Sequence, residues 1–336
     1  MPVRVGINGF GRIGRDVLRS AVERDDTAIE VVAVNDLTTP ATLGHLLAFD
    51  STYGPWSHPV SVEGTTLHAG GHEIAVTAEA DPSALDWAAH GVDVVIEATG
   101  RFRTREAAAA HLSRGARKVL ITAPGKDVDA TIVMGVNDDD YVPDRHHVVS
   151  NASCTTNCVA PMAWILNECF GVVAGQMTTI HSYTNDQALL DGPHKDLRRA
   201  RSAAVNMIPT STGAARAVGM VVPALAGKLD GLAVRVPLED GSLTDLTVVL
   251  ESPATAAQVN RAFQDAAEGK FKGYLRYTTD PLVSRDIIGD PSSCVFDSSL
   301  TKANGRLVKV FGWYDNEWGY ANRTIDLADL VARTLP

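Results

Sequence analysis

The 336-residue sequence predicts two successive architectures: an α/β part built on a doubly wound parallel sheet, then an α+β part with a mixed or antiparallel sheet. Three observations carry that reading. Over the first 150 residues short β-rich runs alternate with helical patterns, as parallel strands joined by crossover helices do. A glycine turn, Gly9-Phe10-Gly11-Arg12-Ile13-Gly14, lies between the first run and the first helical pattern. Past residue 150 the β-rich runs lengthen and the alternation is lost.

Residues 3–8, 29–35, 92–98, 118–122 and 131–135 read as strands, mostly buried on both faces, as a parallel sheet covered by helices requires. Residues 12–23 and 104–113 are helical patterns between them. An extended run at 147–150 breaks into a helix over 155–169. Long β-rich stretches follow at 171–184, 231–251 and 306–313, with helices at 213–225 and 254–268. Residues 185–210 lack a clean period and carry Gly192-Pro193 and Ile208-Pro209, so a long ordered loop is expected. Spacing at Ile325, Leu327, Leu330 and Val331 predicts a closing helix over 318–333.

A chain of this length supports two ordinary domains. Its net charge of -10 argues against general nucleic-acid binding, which needs a basic footprint. No apolar run of about 18 residues is present to cross a bilayer, and the start, Met1-Pro2-Val3-Arg4, enters a strand pattern without a signal peptide. Cys154, Cys158, Cys169 and Cys294 have spacings that suit neither a zinc ribbon nor a CxxC pair. A reducing cytoplasm and no bound metal are the expectations.

The glycine turn gains meaning from its place between strand and helix. Gly9 permits the tight bend, Gly11 lets a pyrophosphate approach the backbone, and Gly14 lets the helix pack on the strand. The second strand ends in Val34-Asn35-Asp36, at the distance where a carboxylate accepts from an adenosine ribose and repels a 2′-phosphate. A Rossmann-type domain that favours NAD over NADP is expected.

Ala152-Ser153-Cys154-Thr155-Thr156-Asn157-Cys158 places a thiol where the extended run turns into a helix. Unpaired N–H groups there are expected to favour thiolate, lowering the usual pKa of about 8.5 by one to several units. The polar flanks of Cys154 are more than a packed cysteine needs, whereas Cys158, Cys169 and Cys294 read as structural. His181, followed by Ser182-Tyr183-Thr184-Asn185-Asp186-Gln187, is the candidate base. Anion recognition has three candidate segments: Thr210-Ser211-Thr212-Gly213 before a helix, Arg235 inside an apolar strand, and Leu197-Arg198-Arg199-Ala200-Arg201. Internal or intersubunit ion pairs are the plainer reading of these arginines, strongest for Arg198 and Arg201. An activated thiol with a dinucleotide fingerprint points to aldehyde oxidation through a thioester.

These segments, with Ser211-Thr212-Gly213-Ala214-Ala215, Arg235-Val236-Pro237 and Trp313-Tyr314-Asp315-Asn316-Glu317, resemble glyceraldehyde-3-phosphate dehydrogenases of the phosphorylating, glycolytic type, in family order over nearly the whole chain. The resemblance implies Cys154 as nucleophile and His181 as its activator. It implies Ser153, Thr155, Thr184, Arg199, Thr212, Gly213 and Arg235 as ligands of substrate phosphate or inorganic phosphate. Arg12, Ile13, Asp36, Thr122 and Asn316 would contact NAD. It further implies a homotetramer with the 185–210 loop at a subunit interface, acting on glyceraldehyde 3-phosphate and inorganic phosphate. The expected division is an NAD-binding domain over 1–151, a catalytic domain over 152–317, and a C-terminal helix, 318–336, packed back on the first. Departures from the family pattern fall at Ala80, often Arg, at Ala98, often Ser, and in Leu238-Glu239-Asp240-Gly241-Ser242. They bear on cofactor affinity or isoform role rather than on the chemistry. Two other readings stay open: oxidation of erythrose 4-phosphate, and a non-catalytic NAD-binding redox sensor.

Overall fold

A computed structural model describes residues 2–335 and divides the chain into two units. One runs to Ile132 and takes in Asp138–Ser153 and the stretch from Ala321 on; the other is Val133–Asn137 with Cys154–Tyr320. The first contains, in chain order, β1 (Val3–Asn8), α1 (Arg12–Glu23), β2 (Ile29–Asn35), α2 (Pro40–Ala48), the short pair β3 (Phe49–Asp50) and β4 (Gly54–Pro55), β5 (Val60–Glu63), β6 (Thr66–Ala69), β7 (His72–Thr77), β8 (Val94–Glu97), α3 (Arg105–Ala108), β9 (Lys118–Ile121), β10 (Ala130–Thr131) and β11 (Val148–Ser150).

Its main sheet has the order β10-β11-β9-β8-β1-β2-β7-β6-β5. Pairing is parallel from β10 to β7, and β7, β6 and β5 close one edge as an antiparallel meander. Val5, Ile7, Val94, Val95, Ile96, Val119 and Leu120 have no exposed surface, as two-sided burial requires. The chain passes from β1 to β2 on one side and reaches β8 on the other. The end of β1 is therefore the switch point of the sheet, where an open α/β sheet binds ligands.

The expected strand at 131–135 is corrected. Only Ala130 and Thr131 pair, with Val149 and Ser150; from Val133 the chain belongs to the second unit and turns at Gly135, whose φ is 80°. The helix expected at 104–113 is one α turn, α3, prolonged by a 3-10 stretch, Ala109–Arg114. The sequence does not announce the β5–β7 meander: β5 alternates half-buried and exposed residues (Val-Ser-Val-Glu), too little apolar signal to stand out.

The second unit contains α4 (Cys154–Phe170), β12 (Val172–Ser182), β13 (Ile208–Ser211), α5 (Ala214–Val221), β14 (Leu229–Val236), β15 (Ser242–Leu250), α6 (Ala256–Glu268), β16 (Leu275–Thr278), β17 (Cys294–Asp297), β18 (Lys302–Asn304), β19 (Leu307–Tyr314) and the start of α7 (Trp318–Thr334). The sheet order is β13-β14-β12-β15-β19-β17-β16, with β18 beside β19. It is mixed: β12–β14 and β16–β17 are parallel, and the other pairs are antiparallel. The β-rich run 231–251 is two strands, β14 and β15, which lie on opposite sides of β12. The segment 185–210 is ordered as expected but ends as β13, paired to β14.

Helix α4 buries Cys158, Val159, Ala160, Met162, Ala163, Ile165 and Leu166 almost completely. A cluster of sulfur atoms fills the space over Gly312 of β19: a Cβ there would lie 2.6 Å from Cys294 Sγ, 2.7 Å from Met162 Sδ and 3.1 Å from Cys158 Sγ. From Ala321, α7 belongs to the first unit. There Ser20 Oγ donates to Asn322 (3.1 Å), Arg24 pairs with Asp326 (2.7 Å), and Asp329 accepts from Thr27 Oγ1 and Ala28 N–H (2.8 Å each).

Strands β12 and β14 approach closely at Gly231, where a Cβ would stand 2.2 Å from the Met177 carbonyl oxygen. Backbone cannot yield as a side chain does. Gly231→Ala should therefore cost about 1–3 kcal/mol, read as a lower urea midpoint at unchanged m-value. An unchanged midpoint would contradict this packing.

Candidate active site

The glycine turn sits at the C-terminal end of β1. Gly9 has φ 93°, and a Cβ on it would lie 2.7 Å from Thr99 N; one on Gly14 would lie 2.2 Å from Gly9 O. Nothing lies within 4 Å of the corresponding point at Gly11, which leaves backbone open to a ligand. Helix α1 begins after Gly11 without a side-chain cap, the kind of helix start that receives an anion. Phe10 N–H donates to Asp36 Oδ2 at 2.8 Å, which aims the carboxylate across the turn.

A cavity of about 240 Å³ opens here, lined among others by Gly9, Gly11, Asp36, Ala80, Thr99 and Phe102. Its floor is a buried polar network at three strand ends. Asn35 Nδ2 donates to Asn8 Oδ1 (2.7 Å), Asn8 Nδ2 donates to Glu97 Oε2 (2.6 Å), and Glu97 Oε1 accepts from Thr99 N–H (2.9 Å). Buried His111 backs Glu97 at 3.1 Å. A glycine-lined cleft, an open helix start and a directed carboxylate fit a dinucleotide. Of the other expected cofactor contacts, Ile13 is half-buried on the first turn of α1, and Thr122 donates to the Glu97 carbonyl (3.2 Å). Arg12 is held by Asp50 (2.8 Å) over the Tyr53 ring. Asn316 lies in the second unit, where its Oδ1 accepts from the hydroxyls of Ser182 (2.8 Å) and Ser242 (2.6 Å).

Cys154 is the first residue of α4, and its sulfur lies 3.5 Å from His181 Nε2. His181 is next to last in β12, directly opposite Arg235 in the parallel register with β14. Its Nδ1 is 2.7 Å from the Ser182 carbonyl oxygen. A carbonyl only accepts, so a proton on Nδ1 satisfies this contact and leaves the Nε2 lone pair facing the sulfur. Thr155 donates to Cys154 through backbone N–H and hydroxyl. The Thr155 hydroxyl also meets Tyr314 OH (2.9 Å), which bonds Thr179 Oγ1 (2.7 Å) and sets its ring edge against His181.

Burial works against the expected thiolate. Burial pushes the Cys154 thiol up to about 11, against the Arg235 charge and the Thr155 hydrogen bonds that favour the anion. Burial, then the Arg235 charge, bring His181 down to about 3. Loss of hydration opposes the helix start at the thiol and opposes protonation of the imidazole.

Arg235 Nη1 lies 3.0 Å from His181 Nδ1 and donates to the Ser182 carbonyl (3.0 Å) and Thr184 Oγ1 (3.1 Å). Its Nε is buried without a hydrogen-bond partner among the described residues, a donor that an anion would satisfy. Thr184 bonds Asp186, which pairs with Arg199, whose Nε donates to Thr210 Oγ1 (2.9 Å). The structure thus joins Cys154, His181, Arg235, Thr184 and Arg199 in one contact chain. Thr212 and Gly213 lie outside it, at the start of α5, where Thr212 Oγ1 accepts from Ala214 N–H (3.2 Å). Half-buried Ser153 immediately precedes α4.

Sequence pattern assigns no role to Tyr314 or Asp186, although both lie in quoted segments, and does not single out Thr179 or the Asn8–Glu97–His111 network, whose members meet only in space. Nor does it mark Ala152, whose φ of 56° puts a non-glycine residue in left-handed geometry two residues before Cys154.

A dinucleotide cradle on one unit, and on the other a thiol facing a neutral imidazole beside a guanidinium, define an aldehyde-oxidising, nicotinamide-dependent class of enzyme. The chain belongs to the glyceraldehyde-3-phosphate dehydrogenase family. The family's NAD-binding-domain model matches residues 3–105 and its C-terminal-domain model matches 153–316. Glyceraldehyde-3-phosphate dehydrogenase of Streptomyces coelicolor is 57% identical over 337 aligned positions, covering 100% of both chains. That of Geobacillus stearothermophilus is 57% identical over 333, covering 99% of each. Glyceraldehyde-3-phosphate dehydrogenase 2 of Streptomyces arenae is 54% identical over 335, again with 100% coverage of both.

Because the Arg235 charge favours the thiolate, Arg235→Gln should move Cys154 alkylation by iodoacetamide to higher pH. If the midpoint of that profile rises by about one pH unit, the reaction at pH 8 slows by about tenfold. An unchanged rate–pH profile would remove that charge from the account.

Proposed function

We propose that the chain oxidises D-glyceraldehyde 3-phosphate with NAD and inorganic phosphate to 1,3-bisphosphoglycerate. The observation that carries this is the His181 Nε2 lone pair 3.5 Å from Cys154 Sγ, with the partnerless Nε of Arg235 beside it. With its Nε2 facing the sulfur, His181 acts as general base. It takes the proton from sulfur as sulfur bonds to the aldehyde carbon. The carbonyl π pair moves onto oxygen, where the Cys154 backbone N–H and the new imidazolium donate to it. NAD bound at the glycine turn supplies the hydride acceptor.

Cys154 then holds the acyl group as a thioester, conserving energy that direct hydrolysis would lose. Phosphate oxygen displaces the sulfur, the pair on the broken C–S bond returns to Cys154, and an acyl phosphate leaves. Arg235, Thr184, Arg199, Thr212 and Gly213, with Ser153 and Thr155 at the start of α4, serve the substrate phosphate and the attacking phosphate. Gly9, Gly11, Gly14, Arg12, Ile13, Asp36, Thr122 and Asn316 serve NAD.

In this reading residues 1–151 work as the NAD-binding domain, 152–317 as the catalytic domain, and 318–336 as a helix returned to the first. A homotetramer is supported by the apolar surface of the 185–210 segment: Leu189, Leu190, Leu197, Val205 and Met207 are each 75% exposed or more. Four free cysteines suit a reducing cytoplasm. No helix among the described residues is long and apolar enough to cross a membrane.

NADH formation from glyceraldehyde 3-phosphate should require inorganic phosphate, and should exceed that from erythrose 4-phosphate in the same assay. Cys154→Ser should lower kcat by about 10³-fold or more while NAD still binds. His181→Asn should lower kcat by about 10²–10⁴-fold. Turnover retained in Cys154→Ser, or NADH formed equally well without phosphate, would refute the reading. Light scattering should give about four times the chain mass of 35.7 kDa; a monomer mass would refute the assembly.

A further inference from the structure

Asp240, in the turn between β14 and β15, is 2% exposed, and Asp315, just past β19, is 1% exposed. Their carboxyl groups hydrogen-bond to each other, which needs one proton between them. Asp315 is the anion of the two, because its oxygens accept backbone N–H groups from Gly289 (2.8 Å), Glu317 (2.9 Å) and Trp318 (2.7 Å). Asp240 Oδ1 accepts from its neighbour Gly241 N–H (2.8 Å), so the proton belongs on its other oxygen.

What this acid pair holds leads to the reacting groups. Asp315 is followed by Asn316, whose Oδ1 ties Ser242 to Ser182. Ser242 Oγ also accepts from Ser182 N–H (3.2 Å), and the Ser182 carbonyl fixes the His181 ring. We infer that Asp240 is a positioning residue: its carboxylic acid donates to Asp315, latching the turn after Arg235 to the segment that carries Asn316 and keeping the groups behind His181 in line. The catalytic part of this inference rests on the function proposed above.

The charged and titratable groups around Asp240 are mostly acidic. Asp315 and Glu317 face it from the β19–α7 junction, and from α4 the Cys154 thiol feels its charge once Asp240 ionises. Glu239 beside it pairs with Arg285 (2.8 Å), on the 3-10 turn Ser284–Ile287 that also carries Asp286. That turn packs on Gly241, where a Cβ would lie 2.5 Å from Ser284 O. Burial first, then the Asp315 charge, hold Asp240 protonated up to about 9. Above that pH two adjacent carboxylates repel and the latch opens.

The sign follows from proton counting. Between about pH 4 and 9 the folded chain keeps a proton that the unfolded chain has lost, so this group's contribution to stability falls as pH rises. Asp240→Asn keeps the donor and cannot ionise. The gap in Tm between Asp240→Asn and the parent should therefore widen from about pH 5 to 9. At about pH 8 its kcat should stay within about threefold of the parent, whereas Asp240→Leu should lose about tenfold or more. Above about pH 9 the parent's kcat should fall relative to Asp240→Asn. A Tm gap and a kcat ratio that are both flat with pH would overturn the latch, as would Asp240→Asn no better than Asp240→Leu. If Asp240→Leu does not fold, the pH comparison of parent and Asp240→Asn decides. If the parent oxidises no aldehyde, the functional reading fails while the Tm comparison still tests the shared proton.

Discussion

The hydrogen bond from His181 Nδ1 to the Ser182 carbonyl is the interaction on which the site turns. It favours the tautomer with the proton on Nδ1, the form in which Nε2 can receive a proton from sulfur. The geometry comes from the sheet rather than from the two residues. The parallel register of β12 with β14 puts Arg235 opposite His181, so one guanidinium nitrogen reaches the same carbonyl and the ring. A one-residue slip of β14 would turn Arg235 to the other face of the sheet, away from His181. The Gly231–Met177 contact on the same strand pair admits no side chain there and helps to hold that register.

Burial and charge oppose each other around the thiol. Loss of hydration works against ionisation of the half-buried sulfur and against protonation of the buried imidazole beside Arg235. The arrangement suits a reaction in which charge develops only when an aldehyde is present. In the proposed reaction, fixed donors would meet the oxyanion without solvent having to reorganise. Arg235 contributes in two ways, favouring thiolate by its charge and presenting a partnerless Nε to an anion.

The parts legible in sequence are those carried by local pattern. Gly9, Gly11 and Gly14 with Asp36 mark the nucleotide cradle because strand, turn and helix follow one another directly. Cys154 stands out by its polar flanks at a helix start, and His181 by the polar run after an apolar strand. Tyr314 is also in an apolar strand, yet only the fold brings its hydroxyl between Thr155 and Thr179. The protonation state of Cys154 escapes a linear reading because helix-start electrostatics follow from order along the chain, whereas depth of burial does not. The run 131–135 fails as a strand for a related reason: β-branched residues leading out of a sheet look like those within it.

The sulfur cluster over Gly312 bears on how the chain meets oxidants. Cys158 and Cys294 have no exposed surface and share their space with Met162 around a position too crowded even for a methyl group. An added oxygen atom has nowhere to go there. Cys169 is exposed and Cys154 is half-buried, so damage in the native protein falls on those two sulfurs. The inner pair becomes reactive only when the fold opens, and a count of modifiable thiols then distinguishes an oxidised native molecule from an unravelled one.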